Sequence, residues 1–92
     1  MTRAQVRARL LELILATAPS ADRTRLDDDR ARLDALGLDS VRVVELGVRV
    51  EMEWGEAVVV DDWLDQEHDR GEVGFTLGSF VDFVLASTEP GT

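Results

Sequence analysis

Cysteine is absent, so neither a disulfide nor a thiolate metal site can form, and nothing marks an oxidising compartment. Lysine is absent as well; every base is an arginine. The chain has one histidine, His68. With no second histidine or cysteine near it a metal site is not expected, and no nucleophile stands beside it to make it a general base. No glycine-rich phosphate loop is present either, which leaves little to do catalysis with. No apolar run approaches the length of a membrane span. Arg3, Arg7 and Arg9 stand near the start, but the segment around them is amphipathic and lacks a small-residue cleavage site. A secretory signal is therefore not expected, and the cytoplasm is the default.

Ninety-two residues make one small domain with an economical core. The formal charge is −9 and unevenly placed. Residues 1–50 hold nine arginines against eight acids, whereas residues 51–92 hold Arg70 alone against eleven acids. Such a field repels nucleic acid and anionic membranes and favours basic protein surfaces, besides serving solubility.

The apolar pattern is helical. A first helix is expected over 3–17, capped by Thr2, with Val6, Leu10, Leu13, Ile14 and Thr17 on one side, and stopped by Pro19. Residues 18–39 form a long connection anchored by Leu26, Leu33, Leu36 and Leu38, with a helical turn at Asp34–Leu36. Asp27-Asp28-Asp29 lacks the alternation, central glycine and distal glutamate of a calcium loop, so a solvated turn is expected there. Ala57–Val60 reads as an extended lead-in to a short helix over 61–67 that points Trp63 and Leu64 inward. His68–Gly74 reads as a mobile loop. A last helix over 76–87, capped by Thr76, carries Leu77, Phe80, Val81, Val84 and Leu85 on its buried stripe and Phe83 at the margin. Pro90 ends it, and Gly91-Thr92 should fray. No alternating segment persists, so the fold class is all-α: a small four-helix bundle with one short helix.

The stretch Leu36–Trp54, LGLDSVRVVELGVRVEMEW, organises the rest. Ser40 is expected to cap a helix over 40–53, ended by Gly55. That helix has three arcs. Val43, Leu46, Gly47, Val50 and Trp54 make a core stripe; Arg42, Glu45, Arg49 and Glu53 make a polar side. Val41, Val44, Val48 and Met52 flank the serine with a further apolar arc. Either another helix covers this arc, or a partner or ligand does. Gly47 permits close approach of the first or fourth helix, or leaves a void near the serine.

GLDSV at a helix start, followed by a Val/Leu-rich helix with Glu45 five residues on, resembles the attachment site of acyl carrier proteins. The resemblance extends to length, acidity, four helical patterns and the place of the serine in the second helix. It implies that a phosphopantetheinyl transferase attaches 4′-phosphopantetheine from coenzyme A to Ser40, beside Asp39. An acyl or aminoacyl group, placed there by a loading enzyme, then rides on the terminal thiol as a thioester to downstream synthase or tailoring enzymes. Val41, Val44 and Val48 become the apolar part of the docking surface, Glu45 and Glu51 its acidic part, and Arg42 a positive charge beside it. The chain itself is then a monomeric substrate-bearing partner of enzymes, with no catalytic residue. Val41 replaces the commoner leucine, Arg42 and Arg49 sit where fatty-acid carriers tend to be neutral or acidic, and the 68–74 loop is long. GLDSVR is reminiscent of aryl and aminoacyl (peptidyl) carriers. These departures point to a discrete carrier of polyketide or nonribosomal peptide biosynthesis. The alternative is a non-catalytic helical interaction module in which Ser40 is only a cap and the apolar arc a permanent interface.

Overall fold

The computed structural model describes residues 2–21, 24–55, 58–71 and 74–88, with Ser40 described by its backbone. Ala57, Pro90, Gly91 and Thr92, for which a lead-in, a stop and fraying are expected, lie outside the described residues, as does part of the 68–74 stretch. Among the described residues the chain is all-helical: α1 Arg3–Thr17, a 3₁₀ turn Asp34–Leu36, α2 Ser40–Trp54, α3 Val60–Arg70 and α4 Leu77–Thr88. It is a small bundle in which α1 packs on α2 and α4, and α3 on α2.

Thr2 opens α1 with a capping box. Its hydroxyl accepts the Gln5 N–H at 3.2 Å, and the Gln5 side chain accepts the Thr2 N–H at 2.8 Å. The stripe Val6, Leu10, Leu13, Ile14 and Thr17 is buried, as its spacing predicts. The Thr17 hydroxyl is satisfied internally, donating to the Leu13 carbonyl at 2.8 Å.

The long connection is ordered by burial and by α4. Leu26, Leu33, Leu36 and Leu38 are all buried. A helix N-terminus leaves orphan N–H groups, and at α4 the connection supplies most of their acceptors. Leu77 N–H donates to the Ala31 carbonyl at 2.9 Å and Gly78 N–H to the Asp29 carbonyl at 2.8 Å. Ser79 N–H donates to the Thr76 hydroxyl at 3.2 Å, so Thr76 is the cap. From the other side, Arg7 Nε donates to the Asp29 carboxylate at 2.8 Å and Arg3 Nη2 at 2.9 Å. Asp28 accepts the Arg30 N–H at 2.9 Å. The aspartate run is thus a joint between α1, the connection and α4.

The second half of the chain departs from its expected outline in three places. First, α3 continues through His68, Asp69 and Arg70 instead of stopping at Glu67. The cause is Glu67, which is buried and lies in the helix: its carboxylate accepts Phe75 N–H at 3.1 Å and Arg70 Nη1 at 3.0 Å. That pairing fixes the α3–α4 corner and holds Phe75 at φ +60, a left-handed conformation unusual for a non-glycine residue. Second, only one of the two tryptophans is central: Trp63 points inward, as its position predicts, with its ring stacked on Phe80 at 4.6 Å and edge-on to Phe75 at 5.9 Å. Its Nε1–H donates to Ser79 Oγ at 3.2 Å. Trp54 closes the core stripe of α2 but is only half-buried, at the periphery. Third, Gly47 faces neither α1 nor α4. A Cβ there would lie 3.4 Å from Val60 Cγ1, so the glycine marks the approach of α3.

Candidate functional site

The serine is delivered by a short, firmly anchored turn. Leu36 and Leu38 are buried on either side of Gly37, which takes φ +95 and ends the 3₁₀ turn. Asp39 is then extended, at φ −74 and ψ −178, and its carboxylate accepts the Arg42 N–H at 2.9 Å. Asp39, not Ser40, is therefore the N-cap of α2, and Ser40 is the first residue of the helix. The exchange has a simple origin. Aspartate caps as well as serine does, and the extended backbone falls at residue 39. The capping assigned to Ser40 from sequence thus belongs to its neighbour; the Ser40 side chain itself lies outside what is described.

Behind the serine the three arcs separate as their spacing implies. Leu46, Gly47 and Val50 are buried, with Val43 and Trp54 at the margin. No described helix covers the remaining apolar arc. Val41, Val44, Val48 and Met52 are 65%, 63%, 54% and 81% exposed. Together the four make a stripe of exposed apolar side chains along α2, of the kind that marks interaction sites when rimmed by polar residues.

The charges around the arc fall into two groups. Arg42 is committed to its own chain: Nη1 donates to the Thr17 carbonyl at the end of α1 at 2.9 Å and to Glu45 at 3.3 Å. Glu53 accepts from Arg9 of α1, which holds its carboxyl below the usual range and raises the arginine in turn. Arg49 and Glu51 are exposed and engage no described residue. Of the expected docking residues, the structure thus exposes Val41, Val44, Val48 and Glu51 freely, and turns Arg42 and Glu45 into a pair that ties α2 to α1.

Beside the N-terminus of α2 lies a pocket of about 340 Å³ that sequence spacing did not reveal. Leu33, Leu38, Val43, Val44, Leu64 and Phe75 line it, with Arg32, Asp34 and Asp39 completing the wall. Its parts come from the connection, α2, α3 and the 74–76 turn, so no single periodicity could have shown it. Arg32 crosses the Phe75 ring at 5.8 Å, a cation–π contact, and its Nε lies 3.3 Å from Asp34. A wider open groove of about 1130 Å³ lies between the connection, α3 and α4. Of the four arginines that line it, Arg3 is held by Asp29 and Asp82, Arg70 by Glu67 and Arg32 by Asp34, as a structural network would hold them.

His68 is exposed on the last turn of α3. Among the described residues no group of His, Asp or Glu is arranged to hold a metal ion, and no helix is long and apolar enough to cross a membrane. Compared with models of known protein families, with curated proteins and with solved structures, the chain matches none.

Proposed function

We propose that this chain is a discrete carrier protein that bears acyl or aminoacyl intermediates as thioesters on a 4′-phosphopantetheine attached to Ser40. The observation that carries the reading is one juxtaposition. A serine released from capping duty by Asp39 opens a rigid helix, next to an uncovered apolar arc and the apolar pocket. In the proposed reaction the Ser40 hydroxyl, deprotonated by a phosphopantetheinyl transferase, attacks the pyrophosphate of coenzyme A, and the adenosine bisphosphate half leaves. When bound, the group supplies a flexible arm ending in a thiol. The chain's own residues do the rest. Asp39 fixes the first turn, the Leu36 and Leu38 anchors hold the turn before it, and the valine arc receives the enzymes that load and unload the arm. The adjoining pocket offers apolar lining to a cargo folded back against the protein.

The reading extends to a carrier of polyketide or nonribosomal peptide pathways, on the strength of Val41, Arg42 and Arg49 in the GLDSVR helix. A permanent interaction module in which Ser40 is only a cap has less support, because Asp39 accepts the Arg42 N–H and takes the capping position. The test is the mass of the chain after incubation with coenzyme A and a broad-specificity phosphopantetheinyl transferase: a single added phosphopantetheinyl group is expected, and an unchanged mass overturns the reading.

A further inference from the structure

The arc beside Ser40 is polarised across its width. At about 100° per residue, Arg49 and Glu51 fall on opposite flanks of the stripe formed by Val41, Val44, Val48 and Met52. They are also the two charges beside the stripe with no intramolecular partner among the described residues, since Arg42 and Glu45 hold each other and Arg9 holds Glu53. Both lie roughly 14–17 Å along the helix from Ser40, so they face the body of a docked enzyme and not the reacting hydroxyl.

We infer that the phosphopantetheinyl transferase surface that docks here is itself mixed: an apolar centre, an acidic group over Arg49 and a basic group over Glu51. The inference rests on the carrier reading and deepens it by naming the partner's chemistry. A chain of net charge −9 attracts basic surfaces from a distance. Against a uniformly basic partner, however, Arg49 is a repulsive charge at the edge of the contact, and its removal should help. Against the mixed partner, Arg49 and Glu51 together set one orientation of the helix and disfavour its reverse. Like charges brought face to face are what suppress the wrong pose.

The sign of one charge reversal separates the two cases. The probe is a broad-specificity phosphopantetheinyl transferase with coenzyme A, and the readout is the rate of Ser40 modification at low carrier concentration. Arg49→Glu should slow modification about tenfold at low salt, with the deficit shrinking as salt screens the contact. The swap of Arg49→Glu with Glu51→Arg, which keeps the net charge, should slow it at least as much. Arg30→Glu, which makes the same change of net charge on the exposed connection, should leave the rate near wild type. An Arg49→Glu rate equal to or above wild type overturns this inference while leaving the carrier reading intact. A slowing by Arg30→Glu equal to that by Arg49→Glu overturns it too, because net charge alone would then explain the effect. A wild type that is never modified overturns the carrier reading and this inference with it.

Discussion

The same substitution at two helical glycines should change stability in opposite directions. Gly47→Ala and Gly78→Ala both exchange a helix-destabilising residue for the best helix former, a gain of about 0.8–1 kcal/mol in the absence of other effects. At Gly47 the new Cβ would lie 3.4 Å from Val60 Cγ1, an ordinary contact, so most of the gain should survive. At Gly78 it would lie 2.9 Å from Asp29 Cβ and 3.0 Å from the Asp29 carbonyl oxygen. That carbonyl accepts the Gly78 N–H at 2.8 Å, while Arg3 and Arg7 hold the Asp29 side chain from the other side, so the obstacle cannot yield cheaply. Overpacking costs about 1–3 kcal/mol, and loosening the backbone hydrogen bond adds about 1 kcal/mol. The net expectation is a loss of about 1–3 kcal/mol at Gly78 and a gain of about 0.5–1 kcal/mol at Gly47. In urea unfolding followed by far-UV circular dichroism, a slope near 1 kcal/mol/M puts the midpoint shifts at about −1 to −3 M and +0.5 to +1 M. Shifts of the same sign would refute the placement of the connection against α4.

Three further outcomes follow from the site and core. Asp39→Ala should cost about 0.5–2 kcal/mol as a lost cap, and Ser40→Ala should cost less; thermal melts of the two variants decide which residue caps α2. Trp63→Ala should cost about 3–5 kcal/mol, enough to unfold so small a domain, while half-buried Trp54→Ala costs visibly less; denaturation of both variants reads the difference. The hydrogen bond from Arg7, and then that from Arg3, keeps the Asp29 carboxyl below its ordinary 3.8. A depressed folded value means the contribution is present above 3.8 and lost as pH falls through the folded value below it. The stability gap between wild type and Asp29→Asn should therefore close with acidification through that range.

Periodicity revealed faces but not neighbours. The stripe of α1, the leucine anchors and the apolar arc of α2 are each a property of one segment and could be placed from it, but that no described helix covers the arc needed the other helices in position. Gly47 could be recognised as a close approach, yet which helix approaches depends on where α3 enters. Glu67 looked like an ordinary helix end because its partner, the Phe75 N–H, is eight residues away across a corner set by a left-handed phenylalanine. Trp54 and Trp63 both lie on apolar faces, and only the position of Phe80 and Phe75 decides which ring the core closes around. The commitment of Arg42 to the Thr17 carbonyl likewise needed α1 and α2 side by side. The pocket beside Asp39 draws on four segments and was out of reach for the same reason.

The central claim is that Ser40, and no other serine, accepts a phosphopantetheinyl group. The chain holds Ser20, Ser40, Ser79 and Ser87, so intact mass followed by peptide mapping gives a direct answer. After incubation with coenzyme A and a broad-specificity transferase, one group should be found, on the peptide carrying Ser40, and none on Ser40→Ala. A wild type that stays unmodified, or a Ser40→Ala variant that is still modified, would contradict it.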